Sequence, residues 1–452
     1  MTHLAPMTRR NPGDVAMPAE CICGRFSVAC ITAIIRRVSA STSVLALLVG
    51  GILIGAPAKA MAGRDPRSEE WWFTAWDIQN QVWHQSRGRG ITVAVVDSGV
   101  NASLPELRNV VLPGTDARHG YQGDGRKEVK LGNMGPPEDP AGHGTGMAAL
   151  IAGQGGPSGI VGIAPEAKIL TIIADALPNN MSSGIVYAAD HGAQVINISQ
   201  GAVYPGGCPS DVQAAVLHAI DKGSVVVASM GNEGSTSNGV LFPASCAGVL
   251  GVGAVNNHKA AWTRTQRQSY VSAAAPGVEV GILTKSGTFN PNYSGTSQAA
   301  ALSSGAVAMV RSKFPQLTPR QVVQRMINTT VDAGPPGPDN MTGAGVIVPI
   351  RALSVKVAAS APNPTFARLD TWRRENPDLA RMFESPTPKP SATVSTTPSA
   401  TPSVIAAGRS DSSSGVGSLA AFIVIVLLAV LVFTAAAIIM VVRRNASRRP
   451  MI

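Results

Sequence analysis

Between about residues 88 and 350, short apolar runs rich in β-branched residues alternate with alanine-rich amphipathic stretches. Ile91–Val96 reads Ile-Thr-Val-Ala-Val-Val, a run too uniformly apolar for a half-exposed strand, and predicts a buried one. Strands are likewise predicted at Ile169–Ile173, Gln194–Ile198, Ser224–Ala228 and Gly248–Val255, and helices at Gly144–Gly153, Ser183–His191, Pro209–Lys222 and Ser297–Phe314. Continuous apolar strands separated by helices argue for an α/β fold, a mainly parallel sheet with helices on both faces. About 260 residues is an ordinary size for one such domain. The stretch shows no internal repeat and no glycine-rich phosphate loop.

The pattern changes outside this stretch. Val44–Gly55 is a short apolar run preceded by Arg36-Arg37 and followed by Ala58-Lys59-Ala60, a small-x-small sequence. That order is the order of a secretory signal peptide, with an uncleaved signal anchor as the alternative. Residues 1–35 fit no part of such a peptide and are consistent with initiation at Met17 or later. Leu419–Val442 runs 24 residues without a charge, long enough to cross a bilayer as a tilted helix. Four arginines follow it directly, which orients the tail inward and the body outward. Ser385–Ser403 holds five Pro, five Ser and five Thr, a composition that favours an extended stalk over a packed core or a ligand for a proline-binding module. The expected organisation is therefore an N-terminal extension and signal peptide over 1–60, a short tryptophan-rich arm over 61–87, a folded domain over 88–358, a Pro/Ser/Thr-rich linker over 359–418, a transmembrane helix over 419–442 and a basic cytoplasmic tail over 443–452. The protein is expected at the cell membrane, single-pass, with the domain extracytoplasmic and the C-terminus cytoplasmic.

Composition adds two exclusions. With 45% hydrophobic and 14% charged residues, wholesale disorder is ruled out. The net charge of +10 invites a nucleic-acid reading, but residues 1–60 carry a surplus of four positive charges and the last ten residues another four. Only +2 remains for the body, so no nucleic-acid partner is expected. Cys21, Cys23 and Cys30 fall in or before the targeting segment, leaving Cys208 and Cys246 in an oxidising compartment. A single disulfide between them is the default and two unpaired thiols the alternative. There is no metal-ligand spacing, and neither a metal nor a cofactor is expected.

Candidate chemistry sits where an α/β sheet collects function, at the carboxyl ends of strands. Asp97 ends the first strand in Val96-Asp-Ser-Gly99. His143 lies in Gly142-His-Gly-Thr-Gly146 and Ser297 in Gly295-Thr-Ser297, each at a helix start. An acid, a base and a hydroxyl nucleophile are the parts of acyl-transfer catalysis. Glycines beside His143 and Ser297 let backbone close on a reacting carbonyl, and a helix N-terminus favours developing negative charge. Singly, such residues are more often a turn residue, a structural histidine and an N-cap; it is the ordered combination that carries weight.

Together these motifs resemble the subtilisin-like serine peptidases, or subtilases, in order and spacing over about residues 88–355. Gly162–Lys168, Asn197–Gly201, Gly231-Asn-Glu-Gly234 and Pro243-Ala244 with Val249–Ala254 extend the likeness. The resemblance implies a subtilisin-like fold and a serine endopeptidase acting on polypeptide substrates. It implies Asp97, His143 and Ser297 as catalytic triad, Asn232 as oxyanion-hole donor, and Ser199, Gln200 and Gly201 as substrate-binding strand. After Ser297 the chain reads Ala299-Ala300-Ala301, where the family usually has a proline. Met61–Gly90 is much shorter than the inhibitory propeptide of secreted subtilisins and holds Trp71, Trp72, Trp76 and Trp83, which suggests an arm docked on the domain rather than a loose leader. Leader, arm, domain, stalk and span in this order are similar to the mycosins, membrane-anchored subtilases, and imply a type VII secretion membrane complex as partner. The alternative is a mainly structural subunit of such a complex with dispensable proteolysis.

Overall fold

The computed structural model describes residues 65–119, 128–129, 142–334 and 336–380. The expected signal peptide, stalk, transmembrane helix and basic tail lie outside the described residues. Among the described residues no helix is long and apolar enough to cross a membrane.

The arm opens with helix α1 (Trp71–Ala75), a π-turn at Ile78–Val82 and α2 (Trp83–Gln85). The domain then runs β1 (Thr92–Asp97), β2 (Val111–Asp116), β3 (Glu128–Val129), α3 (His143–Ala152), β4 (Lys168–Ile173), α4 (Pro178–Asp190), β5 (Val195–Ile198), β6 (Ala202–Val203) and α5 (Ser210–Asp221). It continues through β7 (Val225–Ser229), β8 (Leu241–Phe242), β9 (Leu250–Val255), β10 (Ala273–Pro276), β11 (Ile282–Leu283), β12 (Phe289–Asn290) and α6 (Thr296–Lys313). Four helices close it: α7 (Pro319–Asn328), α8 (Pro349–Ser354), α9 (Pro364–Glu375) and α10 (Pro377–Ala380).

Eight strands make one sheet in the order β10-β9-β7-β5-β1-β4-β2-β3, parallel except for β3. The first strand therefore lies inside the sheet, between β4 and β5. From β1 the chain goes out to β2 and β3 on one side, returns to insert β4 beside β1, then crosses to the other side through β5, β7, β9 and β10. That reversal opens a crevice at the carboxyl ends of β1 and β5, the place where sheets of this kind bind ligands. α3 and α6 pack together on one face, α4 and α5 on the other.

Burial explains the sequence pattern. Val93–Val96 are fully buried on both faces of β1, which is why the strand shows no alternation. α6 is buried on every side from Thr296 to Val310 and is built largely from Ala, Ser, Gly and Val, with Leu302 and Met309 the large apolar exceptions, which lets the sheet approach most of its backbone closely.

The arm belongs to the same core. Trp72, Phe73, Trp76, Ile78 and Val82 are buried in it, and the Trp83 indole N–H donates to the Ile163 carbonyl at 2.8 Å. The Glu70 carboxylate, only 1% exposed, accepts from the Arg67 backbone N–H at 2.9 Å and the Val161 N–H at 3.1 Å. It thereby pins the loop that follows α3.

One boundary needs correction. Residues 359–380 were expected in the linker, yet α9 buries Phe366 and Leu369, Thr365 hydrogen-bonds Ser272 at 2.9 Å, and Arg368 donates to the Ser245 carbonyl at 2.6 Å. Asn363 caps this helix through the Phe366 N–H, and Pro364 occupies its first turn. The folded part thus extends some twenty residues beyond the expected 358.

Candidate active site

Asp97 is the last residue of β1 and is 2% exposed. Its Oδ1 accepts from the Ser98 N–H at 2.8 Å, and both carboxylate oxygens face Nδ1 of His143, at 2.9 and 3.0 Å. A carboxylate there assigns the ring hydrogen to Nδ1 and makes Nε2 the basic nitrogen. The His143 side chain is 30% exposed, so the imidazole joins a buried anion to the surface of the crevice.

The flanking glycines make this contact possible. Gly142 caps α3 with φ of 65°, and a Cβ there would fall 2.4 Å from Lys285 Cβ. A Cβ on Gly144 would fall 2.3 Å from the Gly99 carbonyl oxygen and 3.0 Å from Asp97 Cβ. Any larger residue at 144 would push α3, and His143 with it, away from β1.

Ser297 occupies the first turn of α6 and is 6% exposed. Its hydroxyl donates to the Ser199 carbonyl at 2.7 Å, while the Ser199 hydroxyl donates to the Ser297 carbonyl at 3.0 Å. This two-bond clasp joins the start of α6 to the residue after β5. A serine hydroxyl reorients by rotation about its C–O and Cα–Cβ bonds.

Asn232 lies three residues beyond β7. Its Oδ1 accepts from the Thr296 N–H at 3.0 Å and the Thr296 hydroxyl at 2.9 Å, and Thr296 Oγ1 accepts from the Gly231 N–H at 2.9 Å. A backbone N–H can only donate, so the oxygen of the amide must face Thr296 and its NH₂ must face away. That NH₂ lies beside Gly295, where a built Cβ would sit 3.5 Å from Nδ2. Thr296 was not singled out by sequence reasoning; its signal was its place between Gly295 and Ser297.

The Ser199–Gly201 segment is brought to the same place. Ser199 is buried against Ser297, and Gln200 donates to the Ala174 carbonyl at the end of β4 at 2.8 Å. Gly201 passes so close to β8 that a Cβ would lie 2.2 Å from the Phe242 carbonyl oxygen. Ala202-Val203 then pair antiparallel with Leu241-Phe242. Cys208 and Cys246, flanking this pair of short strands, lie with sulfurs 1.90 Å and Cα atoms 4.9 Å apart. The marked residues thus fall into a pair, Asp97 with His143, and a group around the start of α6, Ser199 bonded to Ser297 and Asn232 to Thr296, while the cysteines flank β6 and β8. A buried carboxylate on a histidine, a hydroxyl at a helix start and an oriented amide are a set suited to acyl transfer.

Comparison with known proteins agrees with this chemistry. The family model described as the subtilase family matches residues 88–345. Fervidolysin of Fervidobacterium pennivorans is 30% identical over 357 residues, 72% of this chain; the match spans 48% of fervidolysin's own length. Mycosin-1 of Mycolicibacterium smegmatis is 31% identical over 327 residues, covering 60% of this chain and 69% of that protein. A solved structure described as a serine protease MycP1, an essential component of the type VII (ESX-1) secretion system, superposes with a TM-score of 0.53 at 30% identity, covering 66% of this chain and 90% of that one.

Proposed function

The chain belongs to the subtilase family of serine peptidases, and on that premise we propose that it is a membrane-anchored, extracytoplasmic serine endopeptidase that hydrolyses peptide bonds with Asp97, His143 and Ser297. The observation that carries the reading is the pairing of the buried Asp97 carboxylate with His143 Nδ1, at the end of the strand beside Ser199 and Ser297.

Ser297 Oγ attacks the scissile carbonyl carbon as His143 Nε2 takes its proton. The carbonyl oxygen becomes an oxyanion that accepts from the Asn232 NH₂ and the Ser297 backbone N–H. Asp97 holds the ring in the tautomer the step requires and stabilises its charged form, without itself being protonated. His143 then gives the proton to the departing amine. A water, deprotonated by the same nitrogen, attacks the acyl-enzyme and releases the second product and the Ser297 hydroxyl. Substrate backbone pairs beside Ser199–Gly201 as an added strand, with selectivity coming from pockets along it.

We further read Cys208 and Cys246 as a disulfide that clamps the substrate loop, Leu419–Val442 as the membrane anchor, and 385–403 as its stalk. Likeness to mycosin-1 and to MycP1 supports a place in a type VII secretion membrane complex. The test is labelling of the full chain with a small fluorophosphonate. Wild type should be labelled on Ser297 and Ser297→Ala left unlabelled; label persisting on the variant would move the nucleophile to another serine.

A further inference from the structure

Behind the clasp between Ser199 and Ser297 lies a line of buried hydrogen bonds. The Ser304 hydroxyl donates to Asn197 Oδ1 at 3.0 Å. The Asn197 NH₂ donates to Ser199 Oγ at 3.0 Å. Ser199 Oγ in turn donates to the Ser297 carbonyl at 3.0 Å. Asn197 and Ser304 are wholly buried, and Ser199 nearly so. The spacing explains the alignment. Residues 197 and 199 share one face of β5 and its extension, and residues 297 and 304, two helical turns apart, share one face of α6. The two polar faces meet inside the buried core.

We propose that Asn197 and Ser304 are positioning residues for peptide hydrolysis, forming with Ser199 a bridge that sets the nucleophile's helix against the strand along which substrate lies. This rests on the reading of Ser297 as nucleophile and 199–201 as substrate strand.

The bridge has a direction. Ser304, as donor, turns the Asn197 amide so that its oxygen faces α6 and its nitrogen faces Ser199. With that NH₂ on its lone pair, the Ser199 hydroxyl can donate only away from it, toward the Ser297 carbonyl. The orientation chosen at Ser304 is thereby transmitted to the peptide plane of the nucleophile. A buried amide of this kind costs stability unless it is satisfied, and an aliphatic side chain would hold the two elements together as firmly. Its placement directly beneath Ser297 favours geometry over stability as its purpose. The neighbouring Ser303 supplies a contrast, since its buried hydroxyl has no hydrogen-bond partner.

The experiment compares Ser304→Ala, Ser304→Thr, Asn197→Ala and, as control, Ser303→Ala in the full chain, well below the melting temperature. Each variant is assayed for kcat and KM on an extended peptide, for its labelling rate with a small fluorophosphonate, and for melting temperature. A peptide must lie on the strand and meet the nucleophile at once, whereas the phosphonate needs the activated nucleophile and its oxyanion donors but not the strand. Ser304→Ala should lower kcat on the peptide about 3–10-fold, the worth of one hydrogen bond, with KM little changed and labelling within about twofold. Asn197→Ala should lose about tenfold or more on the peptide; Ser304→Thr should recover most of the loss, and Ser303→Ala should match wild type. Peptide turnover unchanged in a folded Ser304→Ala chain overturns the proposal. So does a fall in peptide turnover and labelling in equal proportion, which is what merely weakened folding produces. If Asn197→Ala does not fold, Ser304→Ala decides alone. A wild-type chain that resists the phosphonate instead overturns the nucleophile assignment, and the bridge with it.

Discussion

At the scale of single residues, the oriented amide of Asn232 carries the sharpest expectation. Its NH₂ has no work to do on a planar carbonyl and full work on a tetrahedral oxyanion, so Asn232→Ala should lower kcat far more than it changes KM. A loss of about 10²–10³ in kcat is expected, a magnitude known for the oxyanion asparagine of a subtilisin rather than calculated for this chain. Steady-state kinetics check it; a loss within about threefold would remove Asn232 from the oxyanion hole. Asp97, His143 and Ser297 could be proposed as a triad, and Asn232 through the family resemblance, because each sits in a short glycine-bearing motif, and Gly142 and Gly144 leave no room for a Cβ. The contacts of Thr296 with Asn232 and of Ser304 with Asn197 were not legible, because they join segments 64 and 107 residues apart and nothing local in either announces the partner.

At the scale of elements, legibility followed composition. β1, β4, β5, β7 and β9 were found within two residues because they are continuous apolar runs. β2 was missed because Pro113-Gly114 interrupts it, and the structure absorbs them in an irregularity between Leu112 and Thr115. β10 reads Ala-Ala-Ala-Pro, a helix-former's sequence that its pairing with β9 overrides. α4 starts at Pro178, five residues earlier than its apolar periodicity suggested, because proline suits the first helical turn.

The arm yields a prediction in pH. Burial pushes the Glu70 carboxyl up to about 8, against about 4.5 for the exposed group. A raised carboxyl favours folding in its protonated form, so its full contribution is present below pH 4.5 and is lost as pH rises through 8. Melting temperature should therefore decline across that window, and Glu70→Gln, which cannot ionise, should flatten the decline by several degrees. A wild-type curve as flat as that of Glu70→Gln would mean that Glu70 does not titrate there. The rim of the crevice yields another. The link proposed between Cys208 and Cys246 closes 38 residues, worth roughly 3–4 kcal/mol in chain-entropy terms. Cys208→Ser should lower the melting temperature and weaken long-peptide cleavage more than cleavage of a small ester. Free alkylation of both cysteines in unreduced protein would show that no such link forms.

At the scale of the whole molecule, the segments flanking the expected domain on both sides, the arm expected to dock and part of the expected linker, are built into the fold. The arm fills part of the core with Trp72 and Trp76, and α9 covers Tyr270 and Ser272 with Arg368 and Thr365. The proposed stalk therefore begins beyond Ala380, directly after a docked helix. Protease added to intact cells stripped of wall should release a fragment that keeps α9 and is cut between 381 and 418. A head protected until lysis would reverse the proposed orientation. Why the sequence misjudged this boundary is clear: α9 is mostly polar, with only Thr365, Phe366 and Leu369 buried, too narrow an apolar stripe to stand out beside a proline-rich tail.

The placement of β1 inside the sheet has a consequence in time. Asp97 leaves the ribosome early, but the strand that carries it gains its neighbours β4 and β5 only some 76 and 103 residues later, and Ser297 follows Asp97 by 200 residues. At about 5–20 residues per second, that interval is on the order of 10–40 s. A nascent or translocating chain therefore carries its acid, base and nucleophile as three unrelated segments. On the proposed triad and the proposed outward topology, hydrolytic competence cannot precede the docking of α6, so an exported chain would be cleavage-competent only where it folds.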